Sequence, residues 1–193
     1  CLAVIPCRGG SKGIHRKNLR EIGGIPLVAH TINAANASTL ITKTIVSTDD
    51  EEIAIVAKKY GGNVPFIRPS EFASDESKSI DVAMHALRTC VQNGEHYDIF
   101  VLLQPTTPLR SAQDIDSTIQ LLIDNPNYNS SITVKPVGSS HPNYLYKTVN
   151  DSVIMTPYID NSMAEVRRQE FADIYVRNGA VYAVKTSYML ENS

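Results

Sequence analysis

The chain alternates between short apolar runs and longer stretches in which apolar residues recur at helical spacing. The apolar runs predict β-strands at residues 2–5, 43–47, 63–67, 99–103, 130–135 and 180–184. Helical spacing predicts helices at residues 26–37, 51–60, 80–91 and 112–124. Because strands and helices alternate, the pattern predicts an α/β fold with a mainly parallel sheet and helices on both faces.

The regular alternation stops after residue 135. Residues 136–176 contain His141-Pro142, a predicted hairpin around Asn150-Asp151 and a charged stretch, and a turn is predicted at Asn178-Gly179. We therefore expect a single domain over residues 1–193, with an irregular excursion at about 136–176 that protrudes and forms a dimer interface. Its aromatic residues suit an interface core, although a flap within one chain is the alternative reading.

The first strand leads directly into a glycine-rich, cationic loop, IPCRGGSKGIHRKN at residues 5–18. Gly9, Gly10 and Gly13 tolerate positive φ, so backbone N–H groups here can converge on anionic oxygens. The loop also carries four cations and no acid, namely Arg8, Lys12, Arg16 and Lys17. The pattern favours phosphate binding, and a purely structural turn is the alternative because neither G-x-G-x-x-G nor a P-loop is present.

Composition narrows the class of protein. The chain has 193 residues, 42% of them apolar and 20% charged, and a net charge of −2, which is typical of a soluble globular domain and disfavours nucleic-acid binding. It has no run of eighteen apolar residues and no basic-then-apolar leader, so we expect a cytoplasmic protein without a membrane segment. Cys1, Cys7 and Cys90 fit reduced thiols, and Cys7 is interpreted as a small packing residue of the turn, not a nucleophile.

Three loops follow predicted parallel strands and should meet at one edge of the sheet. They are residues 6–18, residues 48–50 and the proline-rich residues 104–110. The second loop contains Asp49 and Asp50, for which capping of the next helix is favoured over metal binding. The sequence therefore predicts a single pocket that combines a cationic cradle, an acidic pair and a rigid polar rim.

Five ordered blocks carry a resemblance to a known family. They are IPCRGGSKGIHRKN (5–18), VSTDDEEIA (46–54), RPSEFASDESKS (68–79), LLQPTTPLR (102–110) and RRQEF through NGAVY (167–182). In these blocks the chain resembles the acylneuraminate cytidylyltransferases, the CMP-sialic acid synthetases and their relatives that activate legionaminic and pseudaminic acids. The resemblance implies a Rossmann-like nucleotide-diphospho-sugar transferase fold. It also implies transfer of CMP from CTP to a nine-carbon 2-keto acid sugar, with release of pyrophosphate.

The resemblance also implies roles for individual residues. The residues expected to bind the nucleotide are Arg8, Gly10, Ser11, Lys12, Gly13, Lys17, Asn18, Arg68 and Ser79, of which Lys17 and Arg8 would also be catalytic. The residues expected to contact the sugar are Gln104, Arg168, Asn178 and Tyr182. Independently, guanidinium groups suit planar carboxylates, and lysine acts as a point charge on phosphate.

The chain departs from the family pattern at three places. Family members carry a metal-binding aspartate pair beyond the NGAVY block, and because this sequence stops at Ser193 we expect a missing C-terminal part, Mg²⁺ in the reaction and no identifiable metal ligand. Sialic-acid-specific members have a lysine near Asn143-Tyr144 and an arginine at the position of Val176, so a legionaminate-like sugar stays open. The alternatives are a nucleotidyltransferase for a 3-deoxy-octulosonate or a hexose phosphate, and a non-catalytic nucleotide-binding relative.

Overall fold

A computed structural model describes residues 1–11, 13–74, 77–149, 153–159 and 171–192. The chain forms two compact units, one of Cys1–Thr133 with Gly179–Ser193 and the other of Val134–Asn178. The strands of the described part are β1 (Leu2–Pro6), β2 (Glu21–Ile22), β3 (Ile25–Pro26), β4 (Lys43–Ser47), β5 (Ile99–Leu102), β6 (Ser130–Pro136), β7 (Tyr146–Thr148), β8 (Met155–Pro157) and β9 (Tyr175–Lys185). The α-helices are α1 (Leu27–Asn36), α2 (Glu51–Lys59), α3 (Ser79–Gln92), α4 (Ala112–Asp124) and α5 (Thr186–Glu191).

The main sheet has the strand order β4-β1-β5-β9-β6. β1 pairs in parallel with β4 on one side and with β5 on the other, whereas β9 runs antiparallel to β5. The central strands are therefore parallel, as predicted, within a sheet that is mixed. This topology brings the carboxyl ends of β1, β4 and β5 to one edge of the sheet.

Helices cover both faces of this sheet. Ala3 and Ile5 of β1 pack in a cluster with buried residues of α1, α2 and α4, while Leu2 and Val4 pack with buried residues of α3 and α5. Because successive side chains of a strand point to opposite faces, a strand covered on both sides must be apolar at every position. The fully buried run at the start of the chain meets that requirement.

Two predicted elements differ from the structure. The strand predicted at residues 63–67 is reduced to isolated parallel bridges, Ile45 with Asn63 and Thr48 with Ile67. The turn predicted at Asn178-Gly179 is wrong, because both residues lie inside the continuous strand β9. Gly179 has a φ of +76°, so β9 passes through a left-handed residue without reversing direction.

The second unit contains the predicted hairpin. β7 and β8 pair antiparallel, and their connecting residues 150–152 lie outside the described part of the chain. Nearby, the His141 ring stacks on Phe171 at 4.9 Å between ring centroids, and Tyr144 packs edge-on against the same ring. The His141 Nδ1 atom accepts from the Asn143 N–H, so its Nε2–H is free to donate to the Ala172 carbonyl oxygen at 3.2 Å.

The length and hydropathy of the helices show whether any of them could span a membrane. None of the helices in the described ranges is long and apolar enough to cross a membrane. Even the longest of them, α3, alternates a buried face with exposed polar positions.

Candidate functional site

A cleft of about 320 Å³ opens at the carboxyl edge of the parallel strands in the first unit. Its described lining residues are Pro6, Arg8, Ser11, Lys17, Asn18, Arg68, Phe72, Ser74, Ser77, Ser79, Val82, Gln104, Pro105 and Thr106. This lining contains three cations and no carboxylate among the described residues. Its volume lies within the range of small-molecule sites.

Three chain segments form the walls of the cleft. The loop after β1 supplies the first wall, the connection from Arg68 to the first turns of α3 supplies the second, and residues 104–106 after β5 supply the third. Ser79 stands at the first position of α3, where unpaired backbone N–H groups and the positive end of the helix dipole favour anions. The predicted convergence of the first and third walls is therefore confirmed.

The described cations of the loop after β1 fall into two groups, those that line the cleft and one that pairs with carboxylates elsewhere. Lys17 and Arg8 line the cleft, and the Arg8 Nη1 atom donates to the Ser74 carbonyl oxygen at 3.2 Å. No carboxylate of the described residues pairs with the Lys17 ammonium. Arg16, in contrast, binds the Asp50 carboxylate at 3.1 Å and the Glu52 carboxylate at 2.8 Å. Arg16 therefore joins the loop to the start of α2 through ion pairs, and it does not line the cleft.

The glycines of this loop do not use the positive φ that glycine allows. The left-handed residue is Arg16, with a φ of 52°, and neither Gly9, Gly10 nor Gly13 has positive φ. Gly9 is needed for a different reason, since an added Cβ would lie 2.7 Å from the Asp50 Oδ2 atom. At Gly10 and Gly13 an added Cβ would meet no protein atom within 4 Å, and neither residue lines the cleft.

Asp49 and Asp50, which follow β4, hold the cationic loop in place through a hydrogen bond and an ion pair. Asp50 caps α2 by accepting from the Ile53 N–H at 3.0 Å, as predicted, and also holds Arg16. Asp49 accepts from the Gly9 N–H at 3.0 Å and from the Arg68 guanidinium at 3.3 Å. Neither carboxylate lines the cleft.

Arg68 is the most buried cation of the cleft, with 2% of its side chain exposed. Burial lowers the pKa of its guanidinium, and the adjacent Asp49 carboxylate opposes that shift. Its Nε atom is buried and has no hydrogen-bond partner among the described residues. The described contacts of Arg68 therefore leave one of its N–H donors unused.

The proline-rich wall is held by a buried arginine that the sequence did not single out. The Arg110 Nε atom donates to the Ala180 carbonyl oxygen, and its Nη2 atom donates to the Gln104 carbonyl oxygen at 2.6 Å. Burial lowers the pKa of Arg110 to about 10. A Cβ added to Gly179 would lie 3.0 Å from the Gln104 Oε1 atom, so the glutamine side chain lies directly against the backbone of β9.

Cys7 is not arranged as a nucleophile. Its side chain is fully buried, and burial raises the pKa of its thiol well above the usual range, against the lowering effect of Arg68 and Lys17. A neutral thiol inside the core is a packing group, as the sequence indicated.

The cleft brings together seven of the residues predicted from the sequence. They are Arg8, Ser11, Lys17, Asn18, Arg68, Ser79 and Gln104. Tyr182 lies on β9 opposite Leu102, outside the cleft lining, and Asn178 lies in the second unit. Lys12 and Arg168 fall outside the described residues.

Sequence reasoning missed several cleft residues as well as Arg110. Phe72, Ser74, Ser77 and Val82 line the second wall. They lie in or next to the polar stretch 68–79, which the sequence marked as a block of the family resemblance and as a connection between a strand and a helix, without singling out these residues. Arg110 ends the proline-rich loop, and its burial could not be read from sequence because arginine is normally exposed.

A protein-built metal centre is not among the described features. No three His, Cys, Asp or Glu side chains lie close enough to hold a metal ion within residues 1–11, 13–74, 77–149, 153–159 and 171–192. Asp49 and Asp50 are already engaged by Gly9, Arg68 and Arg16. The described carboxylates therefore do not fit a dedicated metal site.

Comparison with known proteins places these features in a wider context. The model of a family described as cytidylyltransferase matches residues 2–191. A CMP-N,N'-diacetyllegionaminic acid synthase of Legionella pneumophila is 35% identical over 191 residues, covering 99% of this chain and 80% of that protein. An N-acylneuraminate cytidylyltransferase of Escherichia coli is 31% identical over 98% of this chain, which spans 43% of that longer protein.

A solved structure supports the same fold. CMP:2-keto-3-deoxy-manno-octonic acid synthetase, determined in complex with CTP, superposes with a TM-score of 0.72 over 98% of this chain and 76% of its own length. The two sequences are 21% identical, so the likeness concerns the fold.

Proposed function

Because the chain belongs to the cytidylyltransferase family, we propose that it is a CMP-nonulosonate synthetase that transfers CMP from CTP to a nine-carbon 2-keto acid sugar. The observation that carries this proposal is the cleft itself. It gathers three cations and no described carboxylate at the carboxyl ends of parallel strands, which suits a triphosphate.

The cationic wall is proposed to bind the triphosphate. Lys17 and Arg8 neutralise the phosphates, and Lys17 balances the charge that develops on the departing pyrophosphate, because its ammonium lines the cleft and no carboxylate of the described residues pairs with it. Ser11, which also lines the cleft, is proposed to contact the phosphates. The family resemblance assigns Gly10, Lys12 and Gly13 to the nucleotide as well. Asn18 and Ser79 hold the nucleoside, and Arg68 contacts the cytosine side.

The reaction is a phosphoryl-group substitution in line with the leaving group. The anomeric hydroxyl oxygen of the sugar forms a bond to the α-phosphorus, the bond from that phosphorus to the bridging oxygen of pyrophosphate breaks, and the hydroxyl proton passes to solvent. Positioning and charge stabilisation supply most of the catalysis in such reactions. Donors fixed by a folded sheet meet that need.

The sugar is proposed to bind against the proline-rich wall. Gln104 lines the cleft there and is supported through its backbone by Arg110. Arg168, Asn178 and Tyr182 are proposed to complete the sugar site, with Arg168 binding the sugar carboxylate as a planar fork. A legionaminate-type sugar is favoured, since the relative with 35% identity is named for that substrate and the one named for N-acylneuraminate is 31% identical.

Mg²⁺ is proposed to accompany CTP as a phosphate-bound ion. Mg²⁺ commonly keeps several waters and binds through substrate phosphates with few protein ligands. A chelator added in excess should therefore abolish turnover, and added Mg²⁺ should restore it.

We also propose a homodimer formed through the second unit. Its hairpin exposes Val153, Ile154, Met155 and Tyr146 to an unusual extent, with Val153 97% exposed. Light scattering should give the mass of two chains, and replacing Ile154 and Met155 by Asp should give the mass of one.

A cytoplasmic location is proposed because all three cysteines are free thiols.

Pyrophosphate release tests the function directly. The protein is incubated with CTP, Mg²⁺ and, in separate reactions, legionaminate, N-acetylneuraminate, pseudaminate and 3-deoxy-octulosonate. The proposal predicts release with at least one nine-carbon sugar and with CTP in preference to UTP, ATP and GTP. Release only with 3-deoxy-octulosonate would identify a different sugar nucleotidyltransferase, and CTP binding without any release would identify a binding protein.

A further inference from the structure

Asp49 touches two walls of the cleft without lining it. A single carboxylate oxygen, Oδ1, accepts from the Gly9 N–H at 3.0 Å and from the Arg68 Nη2 atom at 3.3 Å. Gly9 belongs to the cationic loop, and Arg68 begins the second wall. One side chain therefore joins the two segments on which the proposed nucleotide site depends.

The contact with Gly9 fixes one peptide plane of the loop. Asp49 accepts the N–H of the Arg8–Gly9 peptide, and the Asn18 Nδ2 atom donates at 3.0 Å to the Arg8 carbonyl oxygen of the same peptide. Because a peptide group is planar, holding both of its polar ends sets its rotation. The peptide that leads the chain towards Gly10 and Ser11 therefore has a fixed orientation.

The contact with Arg68 fixes a buried cation. Asp49 is the carboxylate that pairs with Arg68 in the described structure, and the side chain of Arg68 is 2% exposed. A guanidinium removed from water without a carboxylate partner is unfavourable and tends to reorient. Asp49 thereby holds in place the guanidinium of a residue that lines the cleft.

We propose that Asp49 is a positioning residue for the nucleotide, acting through the Arg8–Gly9 peptide and the Arg68 guanidinium. The inference rests on the proposed function, since it assumes that the cleft binds CTP. Asp49 does not touch the ligand in this account. Its substitution should weaken CTP binding because the phosphate-binding N–H groups and Arg68 lose their preset directions.

Two substitutions at this position separate the two contacts. Asp49→Asn leaves an oxygen that accepts the Gly9 N–H but removes the charge that pairs with Arg68. Asp49→Ala removes both contacts. Isothermal titration of CTP should show a dissociation constant raised about 5-fold for Asp49→Asn and about 30-fold for Asp49→Ala. The KM for the sugar should change by less than about threefold, because the proline-rich wall is held by Arg110 instead.

Asp116 provides a matched control. It is also a carboxylate with several hydrogen bonds, accepting from the Ser38 hydroxyl and from the Thr39 and Leu40 N–H groups, and it does not line the cleft. Asp116→Asn should lower the melting temperature and leave CTP affinity unchanged. Asp49→Ala with CTP affinity within twofold of wild type, or with losses that match those of Asp116→Asn, would overturn the inference.

A double-mutant cycle adds a readout that a purely structural role would not produce. If Asp49 acts partly through Arg68, Asp49→Asn should weaken CTP binding less in an Arg68→Gln background than in the wild type. Equal effects in the two backgrounds would remove Arg68 from the proposal. The wild-type reactions with the sugar panel report separately on the function: wild-type turnover with unchanged variant affinity refutes only the role of Asp49.

Discussion

Two walls of the cleft are held in opposite ways. The cationic loop after β1 is supported by carboxylates, with Asp49 binding Gly9 and Asp50 binding Arg16. The proline-rich wall is uncharged at its surface and is supported by the buried cation of Arg110, whose Nε and Nη2 atoms donate to carbonyl oxygens. The cationic surface is therefore backed by carboxylates, and the uncharged surface is backed by a guanidinium.

The two walls differ in how deeply their supporting charged groups are buried. The carboxylates behind the cationic loop are partly exposed, so their contacts are made at moderate desolvation cost. Arg110 is buried and keeps a lowered pKa, which means that its charge reduces stability unless its hydrogen bonds are made. Substitutions of the cations that line the first wall should therefore change function more than folding, and substitutions behind the proline-rich wall should change both.

The largest effect is expected at Lys17. Lys17→Ala should lower kcat by about 10²- to 10³-fold, because a charge that stabilises the departing pyrophosphate is lost. The melting temperature should move by less than about 2 °C, since a partly exposed lysine at the cleft surface contributes little to the core. Lys58→Ala, on the exposed face of α2, is the control and should change neither quantity. If Lys17→Ala lost stability and activity to the same extent, the claim that the cationic wall affects function more than folding would be contradicted.

Arg110 should give the next largest effect, and a mixed one. Arg110→Met leaves two carbonyl groups without their donor, which should lower the free energy of unfolding by about 2–4 kcal/mol. The KM for the sugar should also rise about tenfold because Gln104 loses its backbone support. Chemical denaturation and steady-state kinetics measure the two quantities. Arg88→Met, at an exposed position, serves as the control, and an unchanged unfolding free energy in Arg110→Met would contradict this account.

Gln104 should give a smaller and more selective effect. Gln104→Ala removes a polar side chain at the sugar wall, so the KM for the sugar should rise about fivefold while the KM for CTP stays within about twofold. Gln113→Ala, on the exposed face of α4, provides a glutamine control. If CTP affinity changed and sugar affinity did not, the assignment of the proline-rich wall to the sugar would be wrong.

The smallest effect should come from His85, behind the second wall. Its ring packs against Phe66 and against Phe72, which lines the cleft. Burial, with a smaller contribution from Arg68, lowers its pKa below the usual 6.5. The unfolded chain then binds a proton at higher pH than the folded protein, so this residue makes stability fall as the pH drops below 6.5. When the pH is lowered from 7.5 to 5, the melting temperature of the His85→Phe variant should fall by less than that of the wild type.

Much of this arrangement follows from local patterns in the sequence. Apolar runs located β1, β4, β5 and β6, helical spacing located α1 to α4, and the order of strand and loop brought the cationic and proline-rich segments to one edge. Contacts between distant segments were not predictable. Arg16 was grouped with the phosphate-binding cations because it stands among them in sequence, yet its partners Asp50 and Glu52 lie on another element.

Backbone geometry was also beyond the reach of the sequence. Glycine in a loop suggested positive φ, whereas Gly9 is required by the closeness of Asp50 and the left-handed position is taken by Arg16. The antiparallel β9 was read as a short strand after a turn, because Asn-Gly usually marks a reversal. Here the glycine gives the Gln104 side chain room against the strand.

The three glycines of the cationic loop set up a natural test of what constrains each position. An alanine at residue 9 collides with Asp50, whereas alanines at residues 10 and 13 meet no protein atom within 4 Å. In a saturation library sorted for folded protein, position 9 should be depleted of every other amino acid, and positions 10 and 13 should tolerate many. Depletion at 10 and 13 that emerged only under selection for catalysis would then map the footprint of the bound nucleotide.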